Sequence, residues 1–168
     1  MKAKTKTLII SIAIPLAVGG LSALLTKDSM VVFDYVTKPP LSPPAWLFPV
    51  VWTILYVLMG LSSYFVYTSD KPKEDINTAL LFYGIQLFFN FFWSIFFFNM
   101  EKYLFSLVWL IAMWVLIIIT TLKFYRIDRK AGYLMLPYLL WVTFAAYLNW
   151  GIYVLNKRVF RLARRIIG

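Results

Sequence analysis

Five long uncharged runs, broken by short clusters of charge, set the pattern of this chain: residues 7–25, 44–68, 76–100, 103–122 and 131–156 contain no Asp, Glu, Lys or Arg. Each is close to the roughly 20 apolar residues that carry a helix across a hydrocarbon core of about 30 Å. A lone strand would leave its peptide groups unpaired in lipid, so every run is expected to be α-helical. The expected fold is all-α and integral to the membrane: a five-transmembrane-helix bundle forming one domain over residues 1–168. The first run also reads as a cleavable secretory signal, because it follows Lys2, Lys4 and Lys6 and ends among small residues. Ser11, Pro15, Gly19 and Ala23 recur there every fourth residue, a small-residue stripe suited to close helix packing, within the chain or between copies.

Between the first two runs lies the one long connection, residues 26–43, ending in Lys38-Pro39-Pro40-Leu41-Ser42-Pro43-Pro44. Proline fixes φ and holds the preceding residue out of the α region, so this knot is expected to be extended and stiff. The loop is a candidate lid, and Ser42 a candidate cap for the helix that follows. Pro15, Pro49 and Pro137 are expected to interrupt the ladders of the first, second and fifth helices and to open space there. Residues 157–168 form a basic tail, either an amphipathic helix on anionic lipid or an extension of the fifth helix.

Composition agrees with a membrane setting: 62% of residues are hydrophobic and 14% charged. The chain has 0 Cys and 0 His, which removes disulfides, thiolate nucleophiles, imidazole bases and the usual zinc, copper or haem ligands. No intrinsic cofactor or metal site is expected. The formal charge of +10 sits beside the spans, where it meets anionic lipid and sets topology rather than binding nucleic acid. It leaves orientation open, because the cations divide almost evenly between the two ends. The first loop and the tail share one end.

Spans without ionisable groups do not suit ion pumps, proton-coupled carriers or voltage sensors, and they offer no acid–base pair to a hydrolase. What the spans do carry is polar and aromatic residues at helical spacing. Trp52, Tyr56 and Met59 share a face of the second helix; Gln86, Asn90, Trp93 and Phe97 share one on the third; Tyr138, Trp141, Ala145 and Leu148 share one on the fifth, with Asn149 at its edge. Trp46 stands in the first turn of the second helix. Such faces serve either plain helix packing or an aromatic pocket with amide anchors.

The segments PPAWLFPVVWTILYVLMG, QLFFNFFWSIFFF and LPYLLWVTFAAYLN, in that order within a five-span chain, resemble the TspO/MBR family of tryptophan-rich sensory proteins, which includes the mitochondrial translocator protein or peripheral benzodiazepine receptor. The resemblance covers almost the whole chain. It implies a homodimer of five-helix bundles that binds porphyrin, and in some members sterols or synthetic ligands, in a pocket closed by the first loop. It places the pocket tryptophans at Trp52 and Trp141, the third-helix anchors at Asn90 and Trp93, and the small pocket residue at Ala145.

Some bacterial members promote light- and oxygen-dependent porphyrin breakdown with both tryptophans implicated, so Trp52 and Trp141 become the catalytic candidates here. The candidate ligand-binding set is Trp46, Tyr56, Gln86, Asn90, Trp93, Tyr138, Ala145 and Leu148, with Lys38, and with Lys157 or Arg158, as cations for porphyrin carboxylates. The expected function is a receptor-like porphyrin-binding protein of a bacterial cell membrane, with slow photo-oxidative degradation as an attached activity. The alternatives are a sterol or lipid carrier, for which Leu148, Tyr153 and Lys157 match a loose sterol pattern, and a tetrapyrrole-responsive scaffold without catalysis. One departure stands out: Val32-Phe33 occupies the loop position where the family commonly has Trp-Tyr.

Overall fold

The computed structural model describes residues 2–29 and 31–167, the side chains of residues 2, 3, 32 and 158–167 excepted. Its elements are α1 (Lys2–Thr26), the single turn α2 (Val32–Tyr35), α3 (Leu47–Tyr67), α4 (Lys73–Ser94), α5 (Tyr103–Ile127) and α6 (Arg129–Ile167). α4 runs on into a π-helical turn, Ile95–Asn99. Five helices are long and apolar enough to cross a membrane. The expected runs fall on α1, α3, α4, α5 and α6, so the all-α, five-span architecture stands.

Close packing explains Gly19 and Gly60. A Cβ on Gly60 would sit 2.5 Å from the Ile12 Cα and 2.8 Å from the Ser11 carbonyl oxygen, and one on Gly19 would collide with the Tyr56 ring. The small-residue stripe of α1 therefore serves an intramolecular neighbour, α3. The core threads the bundle centre through Met59, Leu110, Met113, Ile117, Phe124, Met135 and Val142, all buried.

Three local expectations need correction. Pro49 falls in the first turn of α3, where backbone N–H groups have no helical partner anyway, so it removes no ladder bond. Its carbonyl accepts from Thr53 Oγ1 at 2.7 Å. Ser42 caps nothing: its hydroxyl donates to the Pro39 carbonyl at 2.7 Å, and the residue before α3 is Trp46, without a side-chain cap bond. The helix starts late because Pro43 and Pro44 cannot donate, and bonds from Leu47 N to Pro44 O and from Phe48 N to Ala45 O form the first turn instead. The knot is also not extended throughout, since Leu41 takes a positive φ of 66° and bends it. Beyond residue 157 the backbone simply continues α6; the charged face of that tail lies outside the described residues.

Candidate functional site

Four polar side chains meet at the middle of the bundle and satisfy one another. The Tyr56 hydroxyl donates to Asn90 Oδ1 at 2.7 Å, Asn90 Nδ2 donates to the Tyr138 oxygen at 3.1 Å, and the Tyr138 hydroxyl donates to Gln86 Oε1 at 2.8 Å. The thioethers of Met59 and Met113 complete the ring, 4.0 Å from Gln86 Nε2 and 3.9 Å from the Tyr138 oxygen. Tyr138, Gln86 and Asn90 are among the most deeply buried side chains. Buried amides without partners are costly in lipid, and this knot ties α3, α4 and α6 in one register.

Trp52 lies directly above the knot. Its ring stacks on Tyr56 with centroids 5.5 Å apart, tilts against Trp93 at 6.3 Å and meets the Tyr138 edge at 6.1 Å. Trp93 in turn donates from Nε1 to Asn149 Oδ1 at 3.3 Å. Asn149, which the residue spacing put at an edge, is central: it also accepts from Ser106 Oγ at 3.0 Å and donates to the Tyr103 carbonyl at 2.9 Å. Ala145 and Leu148 are buried beside this wall.

Trp141 approaches from another side. Its ring meets Phe48, one turn before Trp52 on α3, at 5.9 Å, and Phe144 at 5.7 Å. It also walls a cleft of about 390 Å³ between α3 and α6, together with Val51, Leu55, Pro137 and Phe144. Its Nε1 is buried without a hydrogen-bond partner. Trp52 is not part of that cleft's lining, so in this closed arrangement Trp141 packs on Phe48 and the two indoles do not face each other across one void.

Above them the loop closes as a latched strap. Asn156 reads the strap like a strand partner, accepting from Thr37 N at 2.9 Å and donating from Nδ2 to Thr37 O at 2.8 Å. One face of α6 supplies two more points: Tyr147 donates its hydroxyl to the Pro40 carbonyl at 2.9 Å, and Gly151 receives Pro39 so closely that a Cβ would lie 2.6 Å from the ring. The lid's Phe33 ring drops into the bundle against Phe48 at 5.2 Å. Beneath it remains a pocket of about 180 Å³ bounded by Lys27, Phe33, Asp34, Phe48 and Phe98.

Of the sequence-derived candidates, Tyr56, Gln86, Asn90 and Tyr138 form the knot and Trp52 and Trp93 pack over it, while Ala145 and Leu148 are buried farther along α6 and Trp141 packs on Phe48. Trp46 stands apart, 66% exposed at the start of α3. Lys38 sits on the lid with its ammonium 3.9 Å from Asp34 and 4.6 Å from the Phe33 ring centre. Lys157 is exposed at the same end, and the Arg158 side chain lies outside the described residues. Residue spacing missed Phe48, Tyr147, Gly151 and Asn156. Phe48 was within reach, one turn before Trp52 on the same face. The other three carry a weak signal, steps of four and five along α6, whose meaning depends on a loop that no periodicity places.

Comparison with known proteins agrees with this architecture. The tryptophan-rich protein TspO of Chlorobaculum tepidum is 39% identical over 157 residues, covering 93% of this chain and 99% of its own. The tryptophan-rich sensory protein of Cereibacter sphaeroides is 39% identical over 134 residues, 80% of this chain and 81% of its own. The translocator protein of Bos taurus is 32% identical over 131 residues, 77% of this chain and 76% of its own. The model of the TspO/MBR family matches residues 11–155, a stretch holding the knot, the Trp52 and Trp141 indoles and the whole strap, and this multi-pass integral membrane protein belongs to that family.

Proposed function

We propose that this chain is a receptor-like porphyrin-binding protein of a bacterial cell membrane, acting as a homodimer, and that light and oxygen slowly degrade the porphyrin it holds. The observation that carries the reading is the setting of Trp52: an indole enclosed by Tyr56, Trp93 and Tyr138, under a lid, in spans without any acid or base. A planar macrocycle gains most from such stacked and edge-on rings. The porphyrin itself absorbs the light and carries the difficult chemistry. The protein's share is to bind the ring, hold it against oxidisable indoles and keep competing reactants out.

The space of about 180 Å³ under the lid is smaller than the roughly 300–1,000 Å³ of ordinary ligand sites. Entry therefore requires Phe33 to leave Phe48 and the strap to lift from α6. A ring then inserted would lie between Trp52 and Trp141 in the place of Phe48 and Phe33, with Lys27 or Lys157 for its carboxylates and the Trp141 N–H for a carbonyl or carboxylate oxygen.

The test is a protoporphyrin titration of wild type and the Trp52→Phe/Trp141→Phe protein, following tryptophan quenching in the dark and porphyrin absorbance under light. Weaker binding and at least tenfold slower porphyrin loss are expected in the variant. Equal behaviour of the two proteins would remove both indoles from the function. Weak binding by wild type, with no protein-dependent photochemistry, would favour the sterol or lipid carrier. For that role the buried Leu148 offers no lipid-facing end to the sterol pattern.

A further inference from the structure

Away from the lid, α1, α3 and α4 part to leave a cleft of about 430 Å³, bounded by Thr7, Ser11 and Ile14 on α1, Ser63 and Tyr67 on α3, and Leu80, Gly84 and Leu87 on α4. Its walls run about seven residues along both α1 and α4, roughly 10 Å at 1.5 Å per residue, which fits within one leaflet of a hydrocarbon core about 30 Å thick. Gly84 forms part of the floor, and a Cβ there would meet nothing within 4 Å. A mid-helix glycine costs roughly 1 kcal/mol relative to alanine, and here no neighbouring helix uses the space it leaves.

The faces that wall the cleft each begin with a cation. On α1 the row Lys4, Thr7, Ser11, Ile14 advances by three and four residues, and on α4 the row Lys73, Asn77, Leu80, Gly84, Leu87 does the same. Lys4 and Lys73 are exposed, and among the described residues neither forms an ion pair. Lys4 lies one turn before Thr7 and Lys73 two turns before Leu80, so both fall toward the end of the bundle where α3 ends at Tyr67. Asp70 lies in the connection before α4, Glu74 and Asp75 fall on other faces of α4, and this end of the bundle as a whole carries nine cations against four acids.

We infer that the cleft is a site for an anionic phospholipid, one acyl chain lying over Gly84 and the phosphate held between Lys4 and Lys73. An apolar slot of leaflet depth fits the chain, and the paired cations fit the charge. The site is separate from the aromatic chamber and does not depend on porphyrin binding.

Native mass spectrometry of the full chain, titrated with phosphatidylglycerol or phosphatidylcholine of the same acyl composition, tests this. Wild type should retain one phosphatidylglycerol about tenfold more tightly than phosphatidylcholine, following the scale of lysine attraction to anionic lipid. Lys4→Gln/Lys73→Gln should reduce that preference to less than about twofold. Gly84→Leu should displace both lipids, and folding is checked by an unchanged helical spectrum. Lys71→Gln, off the two rows, should leave the preference in place. Equal retention of the two lipids by wild type, or an unchanged preference in the double variant, overturns the inference. Dissociation of a dimer by Gly84→Leu with the anionic preference intact also overturns it, because the cleft would then be a contact between copies.

Discussion

α3 and α4 run through both ends of the bundle, yet they are filled at the lid end and open at the other. Toward the lid the facing positions are Phe48, Trp52, Tyr56 and Asn90, Trp93, Phe97, large rings and an amide, with Tyr56, Asn90 and Trp93 hydrogen-bonded. Toward the far end they are Ser63 and Tyr67 against Leu80 and Gly84, and α1 stands off from them to leave the cleft. The same pair of helices thus makes a chamber that must be opened and a cleft that already is. Side-chain volume and the presence of a strap decide which, and the glycines make the contrast testable.

The largest effect is expected from Gly60→Leu. Its side chain would strike the backbone of α1, which cannot turn aside as a rotamer can, and overpacking of this kind costs about 3 kcal/mol or more. Reduced thermal stability in detergent and increased protease access to α1 would report it, whereas Gly84→Leu should change stability by less than about 1 kcal/mol. Comparable losses at both glycines would abolish the distinction between a packed and an open end.

Next comes Asn90→Leu, which leaves the Tyr56 hydroxyl without its acceptor and takes one donor from Tyr138. Membrane hydrogen bonds and orphaned buried groups together suggest a loss of about 2 kcal/mol. Tyr56→Phe should cost about half as much, because it removes a donor and leaves Asn90 its second bond. Chemical denaturation in mixed micelles measures both.

Asn156→Leu acts on the strap. Losing two hydrogen bonds to Thr37, worth about 1–2 kcal/mol, should raise the open population roughly 5- to 30-fold. Hydrogen exchange at residues 33–40 would report this directly, and protoporphyrin association should accelerate with it. Faster exchange without faster association would mean that the strap does not control entry.

The smallest effect belongs to Lys38→Gln, which removes an ion pair of 3.9 Å between partly exposed groups. Such pairs contribute about 0–1 kcal/mol, so lid exchange should change by no more than about fivefold. A larger change would show that Lys38 acts through the Phe33 ring rather than through Asp34.

Much of the bundle was legible in the sequence because lipid makes the rules simple. Charge clusters mark where spans end, and helical periodicity places Gln86, Asn90 and Trp93 on the face where the knot forms. What periodicity cannot supply is the order of contact between helices: nothing in the α1 stripe says that Gly19 meets Tyr56 rather than a second copy. Pro49 was misread because ladder loss depends on where a helix begins, and double prolines shift that start by several residues. The strap was least visible, since its hold on α6 pairs residues 119 apart in sequence, Thr37 and Asn156.

The π-helical turn at Ile95–Asn99 sets the phase of everything after it. It begins two residues after Trp93 and delivers Asn99, whose Nδ2 donates to the Leu25 carbonyl at 2.9 Å and so serves the unpaired end of α1. Excising one residue from that turn would rotate Asn99 by about 100°, leaving the knot and Trp93 in place but detaching α4 from α1 beside the strap. One surplus residue therefore works as a phase adjuster, allowing a single helix to keep its indole facing the chamber while its last turn faces a different neighbour.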